Sequence, residues 1–268
     1  MDINNKKIVA WFSAGVTSTI ATKMTLEKYG KDNVEIIFFE TGSHHADNAR
    51  FIKECEEKLF FKKIRTEQDK RFTSVVDLIR KLKVINFVTG AECTRTMKKR
   101  MRFKLEKKEK FDHQVFGFEY EKKEINRALR FSEQYPETNP IYPLIENKLT
   151  KLDCLKMLND YGIAIPAMYR LGYKNNNCVG CVKGGMGYWN KIRVDFPLVF
   201  DEMAKVEREI NRTCLLETIN GKRVNLFLDT LDPTRGRNET LDLGDCGVLC
   251  EVEFSDIEHP DLQKIIET

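Results

Sequence analysis

Residues 8–19, Ile-Val-Ala-Trp-Phe-Ser-Ala-Gly-Val-Thr-Ser-Thr, run from a short apolar stretch through a turn of small residues into a helical pattern. Strand, tight loop and helix together are how an α/β domain builds an anion site. Small residues let the backbone approach the anion, and the helix start offers unpaired N–H groups and the positive end of its dipole. No lysine follows Gly15 and no Gly-x-Gly-x-x-Gly is present, so this is neither the P-loop nor the dinucleotide fingerprint. A phosphate held here rests on backbone N–H groups and the hydroxyls of Ser13, Thr17 and Ser18. Without one, the stretch is an ordinary strand-to-helix turn.

The chain beyond repeats the rhythm. Strands are expected at Lys7–Phe12, Val34–Phe39, from Phe60 to Ile64 and beyond, and at Gln114–Phe118. Helices are expected at Ser18–Lys28, Asp47–Leu59 with Asp47 as cap, and Phe72–Leu82. Alternation of this kind predicts a doubly wound, mostly parallel α/β sheet with helices on both faces. Ligands then bind at the C-terminal ends of the strands. The Ser13–Ser18 loop and the loop holding Thr41, Gly42, His44 and His45 should therefore meet on one edge. His44 and His45 are the candidates to touch a substrate phosphate or base or to donate a proton, or else only one of two adjacent histidines faces the site. Further on, Thr150 with Asp153 reads as a helix cap, Gly162 as a helix stop, residues 201–216 as a helix and Asn220-Gly221 as a turn.

Composition narrows the function. A length of 268 residues suffices for one large domain with an elaboration. A net charge of +4 makes no global case for nucleic acid. No apolar run approaches membrane-spanning length and no signal segment is evident, so a cytoplasmic protein with no membrane partner is expected. Eight cysteines in such a chain favour metal or redox chemistry over disulfides. Cys55, Cys154 and Cys214 fall in helical patterns and read as buried small hydrophobes. Cys178-x-x-Cys181 and Cys246-x-x-x-Cys250 form a two-plus-two pattern, each pair enclosing a glycine, suited to zinc or an iron–sulfur cluster.

Between Arg95 and Lys110 stand nine lysines and arginines against Glu106 and Glu109. Met97, Met101 and Leu105 make an apolar stripe through them. Either the helix is a solvated amphipathic one, or Arg95 and Lys98, next to Cys93, face phosphates of a nucleotide or of nucleic acid. Glu124 and Arg127 are spaced as a helix ion pair, or Arg127 faces a phosphate or sulfate.

Ser13-Ala14-Gly15-Val16-Thr17-Ser18 resembles the PP-loop (Ser-Gly-Gly-x-x-Ser) of the adenine-nucleotide α-hydrolase-like superfamily. Cys93 with the basic helix, Gly117 with Glu124 and Arg127, and Ile165-Pro166, Tyr169-x-x-Gly172 and Cys178-x-x-Cys181 resemble its phosphoadenosine phosphosulfate (PAPS) reductase-like branch. The resemblance implies a nucleotide domain over residues 1–175, with a cysteine-bearing region over residues 176–268 packed on it. It implies an adenine nucleotide (ATP, PAPS or APS) held by Ser13, Gly15, Thr17, Ser18, Thr19, Thr41, Gly42, His44, Arg95, Lys98 and Arg127. It also implies a [4Fe–4S] cluster on Cys93, Cys178 and Cys181 with a fourth ligand from Cys246 or Cys250. The alternative is zinc on Cys178, Cys181, Cys246 and Cys250, and magnesium is implied only where ATP is split. Thr17 stands where ATP-splitting members carry Asp.

Two reactions follow as expectations. One is sulfonucleotide reduction, with Cys246 in a tail that only loosely matches the reductase Glu-Cys-Gly-x-His. The other is ATP-dependent activation and sulfur transfer to an acceptor such as tRNA or DNA, with Cys93 as a reactive thiol and a sulfur donor or thiol reductant protein as partner. A different class is a catalytically inactive nucleotide-binding regulatory or partner-binding module with a structural metal site.

Overall fold

The structure, a computed structural model, describes residues 6–87 and 90–237. Strand β1 (Ile8–Phe12) pairs in parallel with β2 (Val34–Glu40), and β2 with β3 (Arg65–Gln68). Two short pieces, β4 (Asn86–Phe87) and β5 (Gly90–Ala91), pair with each other. Strand β6 (His113–Val115) returns to the other side of β1, and β7 (Pro140–Ile141) adds to it, giving the parallel order β3-β2-β1-β6-β7. The chain reverses direction across the sheet between β1 and β6, which opens a crevice beyond their C-terminal ends.

β1 shows why the sheet is covered on both faces. Ile8, Ala10 and Phe12 enter one core with Ile20 and Leu26 of helix α1 (Val16–Tyr29). Val9 and Trp11 enter another with Ile37, Phe39 and Leu105. This is the period-two alternation of a strand read on both sides. Each fully buried aliphatic or aromatic side chain contributes about 1.5–3 kcal/mol. The expected doubly wound, mostly parallel sheet is the one observed.

The remaining helices are α2 (Asn48–Glu54), α3 (Val75–Leu82), α4 (Arg100–Lys108), α5 (Lys122–Gln134), α6 (Pro143–Glu146), α7 (Lys151–Asp160), α8 (Ala167–Arg170), α9 (Met186–Asp195) and α10 (Pro197–Ile210). Strands β8 (Leu215–Ile219) and β9 (Lys222–Leu226) form a hairpin across Asn220 and Gly221, both at positive φ. Thr150 and Asp153 make the full capping box of α7, as their spacing implies. Helices α9 and α10 and this hairpin pack with Val75, Leu78 and Ile79 of α3 in one apolar cluster. No helix among the described residues is long and apolar enough to cross a membrane.

Several local expectations are corrected. Asp47 does not cap α2; its carboxylate instead takes the Arg50 guanidinium and the Ala167 amide. The helical path continues past Glu54 as a π-helical turn through Phe60, so β3 begins only at Arg65. Ser74, not Phe72, opens α3, its hydroxyl accepting the Asp77 amide. The helix expected over residues 201–216 starts earlier, at Pro197, and ends at Ile210, with Asn211 left-handed. Cys214 therefore lies before a strand rather than in a helix.

Candidate active site

The loop after β1 is held by its own hydroxyls. Ser18 Oγ accepts the Ser13 amide at 3.1 Å, lies 2.9 Å from Ser13 Oγ and donates to the Gly15 carbonyl at 2.9 Å. Thr19 Oγ1 donates to the same carbonyl at 2.9 Å. Ser18 and Thr19 thus shape the loop from inside, while Ser13 stays exposed and Thr17 half-buried. Ala14 sits at φ 57, where glycine is favoured, and Asn176 Nδ2 holds its carbonyl at 2.7 Å. Helix α1 begins after Gly15 with no side-chain cap, and its Val16 amide meets the Tyr169 hydroxyl.

A cavity of about 610 Å³ opens there. Trp11, Phe39, Phe116, Phe118, Phe131 and Tyr135 supply aromatic walls. Lys98, Lys99, Arg102, Arg127 and Arg130 supply five cations, Ser13 and Thr94 supply hydroxyls, and no carboxylate is among the lining residues. Arg102 is the unusual member. Its side chain is buried, with the guanidinium carbon 5.1 Å from the Phe131 ring and 5.2 Å from the Tyr135 ring. Glu106 lies 3.1 Å from Nε without completing a hydrogen bond, and Nη2 has no partner. Burial lowers its pKa. A buried guanidinium with unmet donors in an otherwise cationic cavity calls for an anion.

Next to this cavity the loop after β2 meets the Cys178–Cys181 turn. Val179 N donates to the Ser43 carbonyl at 2.8 Å, and Tyr188 Oη accepts the Cys181 amide and donates to the Cys178 carbonyl. Gly180 is at φ 71. Glu40 Oε1 accepts the Thr41 and Gly42 amides at 2.8 and 2.6 Å and pairs with His44 Nδ1 at 2.9 Å. The His44 side chain is buried against Phe38 beside Cys178, whose sulfur lies 3.1 Å from Thr41 Oγ1.

The electrostatics follow from these contacts. Burial opposes charge on Cys178, yet the His44 hydrogen bond and charge, Lys98 and Thr41 outweigh it and bring the thiol down to about 7. Burial also opposes protonation of His44, but its bonds to Cys178 and Glu40 raise it to about 9. Glu40 is held at about 2, its burial outweighed by His44 and the two amides. Cys93 goes the other way, to about 11, through burial and the neighbouring charges of Cys181 and Cys178. Burial likewise raises Cys181 and Cys214.

The sequence-predicted residues divide accordingly. Ser13, Lys98 and Arg127 line the cavity. Gly15 precedes α1 and Thr17, Ser18 and Thr19 lie in its first turn beside the cavity, while Thr41, Gly42 and His44 lie in the loop beside Cys178. Arg95 is spent on Glu92 at 2.7 Å and lies over the Phe87 ring. His45 Nδ1 accepts the Asp47 amide, and its ring meets the edge of Phe196. Cys246 and Cys250 lie outside the described residues. Sequence reasoning missed Glu40, Arg102 and Arg130. Glu40 is four residues before His44 at a strand end, the only signal that marked it. Cys214, read as a buried small hydrophobe, packs against the apolar cluster around α9 and α10, and burial raises its thiol well above the usual range.

A tetrahedral thiolate site needs its sulfurs about 2.3 Å from one metal. Among the described residues no three His, Cys, Asp or Glu side chains are gathered to hold one ion. The Cys178 sulfur lies 3.1 Å from Thr41 Oγ1. Cys93, Cys178 and Cys181 lie within electrostatic reach of one another, and the other expected ligands, Cys246 and Cys250, lie outside the described residues.

Residues 7–184 match the family model described as the phosphoadenosine phosphosulfate reductase domain. No curated protein matches the chain. The matched stretch contains the loop after β1, all five strands of the parallel sheet, the cationic cavity and the Cys178–Cys181 turn. With about two thirds of its length matched, the chain belongs to the phosphoadenosine phosphosulfate reductase domain family, a nucleotide-binding family of sulfur metabolism.

Proposed function

We propose that the cavity binds an adenine nucleotide and that the protein is a nucleotide-dependent sulfur-metabolism enzyme. The base stacks among the aromatic walls near Trp11 and Tyr135. The phosphates or sulfate face Lys98, Arg102, Arg127 and the Ser13–Ser18 loop. The observation that carries this reading is Arg102, a buried cation whose Nη2 donor is unmet in a cavity lined by no carboxylate. An anionic aromatic ligand satisfies both features at once.

Thr17 in place of Asp favours sulfonucleotides over ATP splitting. The roles of this chain's residues are then modest ones: the loop amides and the cations bind and orient charge, and the aromatic walls exclude water.

The test uses Trp11 as reporter. It lines the cavity, whereas Trp189, the other tryptophan, is fully buried elsewhere. Titration with PAPS, APS or ATP should quench tryptophan fluorescence in the wild type and leave Trp11→Phe unresponsive. Product analysis then separates the chemistries: sulfite from a sulfonucleotide, or pyrophosphate and AMP from ATP. Absence of any quench with all three nucleotides would sink the reading.

A further inference from the structure

We propose that Asn176 is a positioning residue for the loop after β1: its side-chain amide holds Ala14 in the left-handed conformation that presents Ser13 to the nucleotide cavity. This rests on the nucleotide reading of the cavity and adds to it a residue that is not among the lining ones.

Three observations carry it. The first is an outlier. Ala14 stands at φ 57, where the β-carbon of an L-residue crowds the backbone. Alanine has no polar side chain to offset this locally, as asparagine has. Its methyl is fully buried in the core with Val16 and Ile20. Strain of this kind persists only where the surroundings over-determine it, and it gathers at ligand sites. Here it falls between Ser13, which lines the cavity, and Gly15, whose carbonyl takes the Ser18 and Thr19 hydroxyls. Another φ at Ala14 would swing Ser13 off its bonds to Ser18.

The second is what holds the outlier. Asn176 Nδ2 donates to the Ala14 carbonyl at 2.7 Å and to Asn48 Oδ1 at 2.9 Å. Two acceptors converge on one nitrogen, so the atom must bring two hydrogens, which neither a hydroxyl nor a carboxylate does. Asn176 and Asn48 are 7% and 3% exposed, so water does not compete for these bonds. The arrangement leaves Asn176 Oδ1 and Asn48 Nδ2 buried and unpartnered, at a cost to stability. It serves the loop rather than the fold.

The third is where the strut comes from. Asn176 lies 162 residues from Ala14 and 128 from Asn48, the residue that opens α2. The Tyr169 hydroxyl, buried beside Gly15, meets the Asn176 amide as well as that of Val16. The segments after β1, β2 and α8 are thus tied at one point, and the loop is set before a ligand arrives. Binding then bears no cost of reordering it.

A double-mutant cycle between Asn176 and Ala14 tests this on the full chain, read by Trp11 quenching in titrations with PAPS, APS and ATP. Asn176→Ala should weaken binding roughly tenfold, as a left-handed alanine is released. Ala14→Gly removes the strain, because glycine adopts positive φ freely, and should change affinity by no more than about twofold. In that background Asn176→Ala should also cost no more than about twofold. A merely structural asparagine would not show this cancellation, since lost packing counts the same in both backgrounds. Thermal melts on the same samples establish folding. Asn176→Ser, whose hydroxyl is too short to reach Ala14, replaces Asn176→Ala if that variant does not fold. Equal losses in the two backgrounds would overturn the proposal, as would unchanged affinity in Asn176→Ala. A wild type that no nucleotide quenches sinks the nucleotide reading and this one with it, a result distinct from a responsive wild type with an additive cycle.

Discussion

Gly117, just past β6, lies so close to Ser18 in α1 that a β-carbon on it would stand 2.7 Å from the Ser18 amide nitrogen. This contact joins the two sides of the crevice, because Ser18 organises the loop after β1 while Phe116 and Phe118 flank Gly117 in the cavity wall. Gly117→Ala should force the two loops apart. A stability loss of about 1–3 kcal/mol is expected from the overpacking. Weaker nucleotide quenching of Trp11 should accompany it. Unchanged affinity would mean that the two loops do not act together on the ligand.

Arg102→Met separates binding from stability. A hydrogen bond to a charged group contributes about 1.5–3 kcal/mol, so nucleotide affinity should fall roughly tenfold to a hundredfold. Removing a buried cation with unmet donors should leave the melting temperature unchanged or higher. Fluorescence titration and thermal unfolding on the same sample check both.

Gly42→Ala should be severe. Gly42 is at φ 66, and a β-carbon would overlap the Thr73 carbonyl. Its amide also holds Glu40 at 2.6 Å. A loss of about 2 kcal/mol or more is expected. Chemical denaturation supplies the number.

Glu40 makes acid sensitivity readable. Its carboxyl is lowered from 4.5 to about 2, since the hydrogen bonds from His44, Gly42 and Thr41 outweigh burial. A group depressed in the fold stabilises above its unfolded value. That contribution is complete above pH 4.5 and is lost as pH falls through 2. The wild type should therefore lose more stability across that window than Glu40→Gln, in denaturant melts at matched ionic strength. Parallel curves would place the carboxylate's partners elsewhere.

Glu207 is the strut of the C-terminal part. It is fully buried, and its two oxygens accept the Cys214 amide at 2.6 Å and the Leu228 amide at 2.7 Å. Burial, the leading cause, raises its pKa. Glu207→Ala strands two amides, each costing about 1–3 kcal/mol. Denaturant melts should show a loss of several kcal/mol, and Trp189 emission should shift to the red as the cluster around α9 and α10 loosens.

Much of this protein was legible before any coordinates. Period-two and period-3.6 patterns report which face of an element is buried, and that is a local property of the chain. Hence the parallel sheet, the loop after β1, the Thr150 cap and the Asn220-Gly221 turn all stood in the sequence. Element ends were less legible. The end of α10 depends on the left-handed Asn211, and the start of β3 on a π-helical turn that no spacing announces.

The chemistry of the side chains was decided only by tertiary structure. Spacing along the chain sets Cys178 and Cys181 apart from Cys55, Cys154 and Cys214, but it does not rank Cys178 against Cys93. What separates Cys178 from Cys93 is the electrostatic field at each sulfur, set by groups far away in the chain: Cys178 lies 137 residues from the Thr41 that bonds it. In the same way, the basic stretch around α4 announced positive charge but not its direction. Packing of Met97, Met101 and Leu105 against the core turned Lys98, Lys99 and Arg102 into the cavity. Patterns along the chain determine where an element lies. Only the packed fold determines which charges face each other, because electrostatic energy depends on distance in space and on burial, and neither is written in the order of residues.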